Sequence, residues 1–267
     1  MSSGIADING LQLYYEIKGT GQPLLLLHAG IADSRMWDAQ FEAFSKTYQV
    51  IRFDLRGFGQ SNMPSGSFSN YEDVRALLDF LGIQTLYLLG ISLGGAIAID
   101  FVLAYPSYAE ALILGAPSVN GETPSERIRD FWEEEEIALE EDDFERATEL
   151  NLSFWVDGPH RQANQVDPAL RQQVAAMQMD IFQKDIPEDI EEIELMPPAI
   201  ERLREIQIPV QILVGELDLE EENSLADKLL DQITQSTKVV IPDAAHMLNM
   251  ENPEIFNQNV LDFLAKV

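Results

Sequence analysis

Short runs of mostly apolar residues recur along the chain, separated by stretches in which apolar residues are spaced as on one face of a helix. The runs lie at residues 24–27, 50–53, 86–89, 111–114, 210–214 and 239–241. A run without alternation is typical of a strand covered on both faces, as in the centre of a parallel sheet. The spacing of Val74, Leu77 and Leu81 indicates one of the intervening helices. Strands that alternate with helices predict an α/β fold with a mostly parallel, doubly wound sheet.

Both ends of the chain carry local signals of their own. Near the start, residues 5–8 and 11–17 are rich in β-formers and flank Asn9-Gly10, a pair typical of a tight hairpin turn. Near the end, apolar residues predict a helix over 225–233, and Pro253 marks the start of another. We therefore expect a hairpin at the beginning of the chain and helices near its end.

The character of the chain changes between residues 117 and 205, where strand-like runs vanish and helix formers and acids dominate. This predicts a helical insertion at 117–205 in an α/β core formed by 1–116 and 206–267. The acidic runs at 133–136 and 140–143 fall within the insertion. A charge run of this kind is more typical of a solvated helix face than of a metal site.

Charge narrows the range of partners. The 46 acidic and 17 basic residues give a formal net charge of −29, which repels nucleic acid and anionic membrane surfaces. No cysteine is present, so disulfides and thiolate metal sites are excluded. No apolar run reaches the length of a membrane span and the start does not resemble a signal peptide, which predicts a cytoplasmic protein.

The stretch Gly90-Ile91-Ser92-Leu93-Gly94 carries the clearest chemical signal. It follows a strand-like run and precedes a small, apolar helix, which is the setting of a G-x-S-x-G nucleophile elbow. A tight turn lifts the serine hydroxyl clear of the sheet, and the flanking glycines avoid collisions where strand and helix cross. The free N–H groups of the helix start suit a developing oxyanion. Ser92 is therefore predicted to be a nucleophile.

A serine nucleophile needs a base and a carboxylate that orients the base. Of the three histidines, His246 follows the last predicted strand, and Asp218 follows the strand before it. The order Ser92, Asp218, His246 is the one expected for this kind of fold. Glu216 is an alternative acid, because strand alternation would place its side chain on the same face as that of Asp218.

These motifs together resemble the α/β-hydrolase superfamily over nearly the whole chain. The matching stretches are His28-Ala29-Gly30, the Asp54-x-Arg56-Gly57-x-Gly59-x-Ser61 loop, the Ser92 elbow, Gly215-x-x-Asp218 and Ala245-His246. The resemblance implies an α/β-hydrolase fold in which the insertion is a helical cap. It also implies an oxyanion hole from the backbone N–H groups of Leu93 and Gly30, with Ile31 as the alternative to Gly30.

The resemblance also bears on the reaction. Epoxide hydrolases and haloalkane dehalogenases of this superfamily carry aspartate at the elbow, whereas this chain has Ser92. A serine fits hydrolysis of esters, lactones, thioesters or activated C–C bonds through an acyl-enzyme, without cofactor or metal. Within residues 30–40, the Met36-Trp37-Asp38-x-Gln40 stretch is similar to enol-lactone hydrolases of aromatic catabolism.

Several other residues are candidates either for a structural role or for the substrate pocket. His28 is either structural or part of the substrate pocket, and Asp54 and Arg56 are expected to tie neighbouring loops together. His160 and Arg161 are expected on the cap surface. Further candidates for the apolar pocket are Ile31, Trp132 and Trp155. An anionic substrate would require local compensation of the negative field by cap arginines such as Arg127, Arg129 or Arg161.

Two functional hypotheses follow. The first is a serine hydrolase that acts on a small carboxylic ester or lactone as its substrate partner. The second is a hydrolase-fold ligand sensor or regulatory protein with little turnover, whose acidic cap would dock a basic partner. Multiple turnover on esters distinguishes the first from the second, which would show slow single turnover with a retained acyl group. The sequence does not specify the oligomeric state.

Overall fold

A computed structural model describes all 267 residues and has ten strands and nine α-helices. The strands are β1 (Ser2–Ile8), β2 (Leu11–Lys18), β3 (Pro23–Leu27), β4 (Gln49–Phe53), β5 (Gly66–Phe68), β6 (Leu86–Ile91), β7 (Ala109–Gly115), β8 (Ile190–Glu192), β9 (Val210–Gly215) and β10 (Ser236–Ile241). The helices are α1 (Asp38–Phe44), α2 (Asn70–Leu81), α3 (Leu93–Ala104), α4 (Glu126–Glu140), α5 (Phe144–Asn151), α6 (Pro168–Phe182), α7 (Glu220–Gln232), α8 (Leu248–Glu251) and α9 (Pro253–Leu264). None of these helices has the length and hydropathy needed to span a bilayer.

Eight strands form one sheet in the order β1-β2-β4-β3-β6-β7-β9-β10. Only β2 runs against its neighbours, and all pairs from β4 to β10 are parallel. The predicted hairpin is present, with positive φ angles of 55° at Asn9 and 93° at Gly10. The predicted fold class, a mostly parallel doubly wound sheet, is confirmed.

The two faces of the sheet bury separate cores, which explains the unbroken apolar runs. On β3, Leu25 and Leu27 point into the core beneath α2, α3 and α7, whereas Leu24 and Leu26 point into the core beneath α1 and α9. Successive residues of a strand face opposite sides, so both sets must be apolar when helices cover both faces. Because β3, β6, β7, β9 and β10 are parallel, their carboxyl ends lie along one edge of the sheet, beneath the inserted segment.

The residues from 117 to 205, here called the cap, are mostly helical. The cap contains α4, α5, a π-helical segment at Leu152–Asp157, and α6. Val156, Val174 and Met177 are fully buried in the same core as α1 and α9, so the cap packs firmly onto the sheet. The division of the chain into a core and a cap domain stays a prediction.

Two features differ from the pattern read in the sequence. Strand β8 lies within the cap and pairs with β5, joining the cap to the loop before α2. Each of these strands has three residues, which is too short to produce a recognisable run. In addition, α7 begins at Glu220 rather than near residue 225, because its first turn consists of glutamates that carry no apolar period.

Candidate active site

The turn at Ser92 holds the serine in a backbone conformation that few non-glycine residues adopt. Strand β6 ends at Ile91, Ser92 has φ 53° and ψ −117°, and α3 begins at the next residue. A Cβ atom on Gly90 would lie 2.1 Å from the carbonyl oxygen of Gly94, and one on Gly94 would lie 2.3 Å from that of Leu27. The glycines therefore let strand and helix approach closely, while the strain falls on Ser92.

The structure brings His246 to Asp218 at the same edge of the sheet. His246 Nδ1 lies 3.0 Å from Asp218 Oδ2, and both side chains are buried. Asp218 Oδ1 accepts the N–H of Leu219 at 2.8 Å, which fixes the carboxylate. His246 Nε2 has no hydrogen-bond partner, and Ser92 and His246 line the same cavity. The imidazole is thus held on its Nδ1 side, with Nε2 left free for proton transfer.

Neighbouring carboxylates favour the charged form of His246. Burial alone would lower the pKa of this imidazole, but Asp218, Glu222 and Glu251 outweigh burial, so the pKa of His246 is raised above its ordinary value of 6.5. The site therefore stabilises the imidazolium that forms when the ring takes up a proton.

Glu216, the alternative acid, points elsewhere. Its side chain is exposed, and its Oε2 accepts the N–H of Asp243 at 3.2 Å. Strand β9 ends at Gly215, so strand alternation no longer governs the residues that follow. The acid that contacts the imidazole is Asp218.

The two residues expected to supply the N–H groups of an oxyanion hole line the same cavity as Ser92. Leu93 opens α3, so its N–H has no acceptor within the helix. Gly30 lies in the loop after β3, and its N–H donates to no carbonyl of the turns and loops. Ile31 lies in the same loop, and its N–H likewise donates to no carbonyl of the turns and loops. Gly30 and Ile31 both line the cavity. Both loop residues remain candidates for the second donor.

His28 does not contribute to the pocket, so its assignment as a candidate pocket residue was wrong. The side chain is fully buried beneath the cavity, where Nε2 accepts the N–H of Leu55 at 3.0 Å and Nδ1 donates to the Ala29 carbonyl at 2.9 Å. Burial lowers the pKa of His28, in keeping with a neutral ring that makes both bonds. The structural interpretation of His28 is the correct one.

The polar loop after β4 connects other loops, as expected. Asp54 accepts the N–H of Ser34 at 2.9 Å and that of Gln60 at 2.7 Å. Arg56 makes a bidentate ion pair with Asp73 of α2 at 2.7 Å. Neither Asp54 nor Arg56 lines the cavity. Asp54 therefore ties the segment after β3 to the loop after β4, and Arg56 ties that loop to α2.

The stretch that is similar to enol-lactone hydrolases is hydrogen-bonded to α8, the helix that follows His246. Gln40 Nε2 donates to the Asn249 carbonyl at 3.0 Å, and Asn249 Nδ2 donates to the Met36 carbonyl at 3.0 Å. Met36, Trp37 and Gln40 are buried and lie away from the cavity. This motif therefore positions α8, directly after His246, and does not contact a bound substrate.

A cavity of about 580 Å³ separates Ser92 and His246 from the cap. Ile31, Trp132 and Trp155, the remaining candidate pocket residues, all lie on its wall. The ring of Trp155 lies over that of His246, with 4.5 Å between the ring centroids. The rest of the apolar wall includes Val119, Ile128, Phe131, Leu139, Ile181, Phe182 and Leu225.

No lysine or arginine lines this cavity, whereas four glutamates do: Glu122, Glu135, Glu194 and Glu222. Two of the cap arginines considered as compensating charges, Arg127 and Arg129, are exposed on α4. The cavity wall therefore lacks the arginine that an anionic substrate would require. No group of three or more His, Cys, Asp or Glu side chains is arranged to hold a metal ion.

Arg161 is also not a surface residue, in contrast to His160, which is exposed as predicted. Its guanidinium lies 2.7 Å from Glu251 Oε2, and it donates to the carbonyls of Val156 and Asp157. The side chains of Arg161 and Glu251 are 11% and 4% exposed. Arg161 therefore links the cap to the helix that follows His246 through a buried ion pair.

Glu222 is the residue of the site that the sequence analysis missed. It lies in the first turn of α7 and lines the cavity with His246. Its Oε2 is buried without a hydrogen-bond partner, and burial raises the pKa of the carboxyl to about 7. The available signal was its position four residues after Asp218, but the helix start that orients it was not recognised.

Comparisons with known proteins agree with this architecture. Carboxylesterase YbfK of Bacillus subtilis is 25% identical over 257 residues, which cover 91% of this chain and 80% of that protein. A thermophilic esterase from Thermogutta terrifontis has 25% identity and a TM-score of 0.80, with 100% of this chain and 99% of that chain covered. The enol-lactonase of Burkholderia xenovorans has the same fold, with 22% identity and a TM-score of 0.80 over 98% of this chain and 100% of that one.

The family model described as alpha/beta hydrolase fold matches residues 22–253. This range includes β3 with its following loop, the Ser92 elbow, the cap, Asp218 and His246. The resemblance found in the motifs is thereby confirmed, and relatives that are esterases support a hydrolase activity. The chain belongs to the α/β-hydrolase family.

Proposed function

We propose that the protein hydrolyses small carboxylic esters or lactones through an acyl-enzyme formed on Ser92. The observation that carries this proposal is that Ser92, on its strained turn, opens onto the same cavity as His246, whose ring is held by Asp218. A nucleophile, a base and a group that orients the base are the parts that acyl transfer requires.

In the first half of the reaction, Ser92 Oγ attacks the carbonyl carbon while His246 Nε2 takes its proton. The N–H of Leu93 and that of Gly30 or Ile31 stabilise the negative oxygen of the tetrahedral intermediate. The intermediate collapses, the C–O bond to the alcohol breaks, and His246 returns the proton to the leaving oxygen. In a lactone this oxygen remains tethered to the acyl group.

In the second half, a water attacks the acyl carbon while His246 again takes a proton. Collapse of the second intermediate frees the carboxylic acid and returns the proton to Ser92. Asp218 holds the imidazole in the tautomer that presents Nε2 to both nucleophiles. The carboxylates that raise the pKa of His246 stabilise the imidazolium in each half.

Two further observations support ester or lactone substrates. The cavity volume falls within the range of about 300–1,000 Å³ that is usual for small-molecule sites. Its wall is largely apolar around Ile31, Ile128 and Phe131, which favours an uncharged acyl chain or alcohol there. The carboxylesterase and esterase activities named for the relatives are of the same chemical class.

The test is hydrolysis of p-nitrophenyl esters of increasing chain length, and of a lactone panel, by the parent and two variants. We expect multiple turnover by the parent and a loss of at least about 10⁴-fold in kcat for Ser92→Ala and for Asp218→Asn. Circular dichroism and melting temperature serve as the control for folding. A folded parent that releases one equivalent of product and retains the acyl group would contradict the proposal and favour a ligand sensor.

A further inference from the structure

The cavity wall offers two buried oxygens that no protein group satisfies. Glu222 is 7% exposed and Gln178 is 3% exposed, and both line the cavity. Glu222 Oε2 and Gln178 Oε1 are buried without a hydrogen-bond partner. A buried acceptor without a donor is destabilising, and more so if it is charged. Both oxygens can therefore accept a hydrogen bond from a molecule in the cavity.

The charges around these oxygens have one sign. Glu122 is neutralised by Lys228 at 2.6 Å, and Glu194 is exposed at the rim. Glu135 lies deeper, where it accepts a hydrogen bond from the Asn151 amide, and burial raises its pKa. Glu222 and Glu135 thus face a cavity that no lysine or arginine lines, and its one ionisable base, His246, is neutral in the form that accepts the proton of Ser92.

Aromatic rings cover the same space. Phe131, Trp132, Trp155 and Phe182 lie on the cavity wall, and Phe131 meets Trp155 edge to face with 5.7 Å between centroids. Aromatic faces attract a cation within about 6 Å and tolerate the alkyl groups of a substituted amine. The wall therefore combines ring faces, carboxylates and an amide oxygen, all of which are complementary to an alkylammonium group.

We propose that this cavity selects esters that carry a protonated amine, with the ammonium received by Glu222 and its alkyl groups covered by the aromatic wall. This inference rests on the proposed function for the cleavage step and adds the substrate class. Gln178 Oε1 supplies a further acceptor for an ammonium that carries more than one N–H.

A cation fits the site better than a neutral donor or an anion. A neutral donor would satisfy Gln178 but leave the charges of Glu222 and Glu135 uncompensated in a site partly shielded from water. An anionic substrate would meet four glutamates and no lysine or arginine. The net charge of −29 additionally attracts cations from a distance.

The preference for a cation is expected to depend on pH in a defined direction. The pKa of Glu222 is about 7 because burial raises it; Asp218 and Glu221 raise it further, and His246 lowers it. The ionised form gains population as pH rises through 7, so the preference for a cation increases over this range. Protonation of His246 affects a neutral substrate equally and cancels from the ratio of the two rates.

The test compares isosteric substrates that differ by one charge. On the alcohol side, the pair is 2-dimethylaminoethyl butyrate and 3-methylbutyl butyrate; on the acyl side, it is ethyl 4-(dimethylamino)butyrate and ethyl 5-methylhexanoate. In at least one pair we expect kcat/KM to favour the protonated amine by about tenfold at pH 7.5 and by less at pH 6. Glu222→Gln removes most of this preference.

Glu220→Gln is the matched control, because it removes the same charge from an exposed position in the same turn of α7. It should leave the preference unchanged, so any effect of Glu222→Gln reports the cavity and not the overall field. If Glu222→Gln does not fold, the ratio in the parent and its change with pH still decide the matter.

The outcomes separate this inference from the proposed function. Hydrolysis of the neutral esters that depends on Ser92, with no preference for the amine in either pair, overturns the inference and leaves the proposed function intact. Absence of all ester turnover, together with calorimetric binding of 2-dimethylaminoethanol that exceeds binding of 3-methylbutanol and weakens in Glu222→Gln, supports the cation site and overturns the hydrolase. Failure of both hydrolysis and binding overturns both.

Discussion

The two walls of the cavity are built differently. On the sheet side, backbone contacts at Gly90 and Gly94 fix Ser92, and hydrogen bonds fix Asp218 and His246. On the opposite side, which is formed by the cap and the first turn of α7 and is here called the cap side, aromatic rings surround glutamates and an amide, and Glu222 has a buried oxygen without a partner. The sheet side holds the reacting groups in place, whereas the cap side has a buried oxygen to which a ligand can donate a hydrogen bond. Chemistry and selectivity are thus divided between the two walls.

Ion pairs show the same division. The ion pair of Arg161 and Glu251 is buried between the cap and the helix that follows His246. Arg52 pairs with Glu16 of the neighbouring strand at 2.6 Å. These charges are compensated inside the protein. Glu222 is as buried as the members of these pairs but contacts no basic side chain. The uncompensated buried carboxyl of Glu222 thus lies where a ligand can enter.

The largest expected effect is on the sheet side, from Gly94→Ala. The added methyl carbon would lie 2.3 Å from the carbonyl oxygen of Leu27 and 2.7 Å from that of His28, and backbone atoms cannot move aside as a flexible side chain can. We expect the free energy of unfolding to fall by about 3 kcal/mol, measured by urea denaturation.

Gly30→Ala is the matched control for this substitution. Its added carbon would make ordinary contact with Leu93 at 3.6 Å, so the unfolding free energy should change by less than about 1 kcal/mol. Equal stability of the two variants would show that the close approach at Gly94 does not constrain the elbow.

An intermediate effect is expected at the joint between the walls, from Arg161→Met. The substitution leaves Glu251 buried without its cation, although Glu251 still accepts the N–H of Ala245. Burial already raises the pKa of Glu251, and loss of Arg161 raises it further, so the carboxyl takes up a proton. We expect a loss of about 2 kcal/mol in unfolding free energy at pH 8, smaller at pH 5, measured by chemical denaturation.

Arg127→Met removes a cap arginine that is exposed, and it should leave the unfolding free energy within about 0.5 kcal/mol of the parent at both pH values. A loss for Arg161→Met that is independent of pH would contradict the assignment of Glu251 as the group that takes up the proton.

The smallest effect concerns coupling across the cavity, from Glu222 to His246. The carboxylate of Glu222 helps to raise the pKa of His246, so Glu222→Gln should lower it. Since the neutral imidazole is the active form, the acid limb of kcat/KM for a neutral ester should move to lower pH. Glu220→Gln should not move it. A shift to higher pH would contradict the coupling.

Most of the sheet, and the site residues of the sheet side, could be predicted from the sequence. Apolar runs located the central strands because both faces are buried, and the elbow glycines marked Ser92 because its local geometry demands them. The residues of the cap side were harder to predict from the sequence. The position of Glu222 depends on where an acidic helix begins, and that of Arg161 depends on a partner 90 residues away. Local patterns encode backbone geometry, whereas contacts between distant segments require the fold.

The central claim is that Ser92 forms a covalent acyl-enzyme, and mass spectrometry of trapped protein tests it most directly. The parent, quenched in acid during hydrolysis of a slowly turned-over p-nitrophenyl ester, should gain the mass of one acyl group. After proteolysis this mass should reside on the peptide that contains Ser92, and Ser92→Ala should show none. An adduct on Ser118, which lines the same cavity, or multiple turnover that persists in Ser92→Ala would contradict the account.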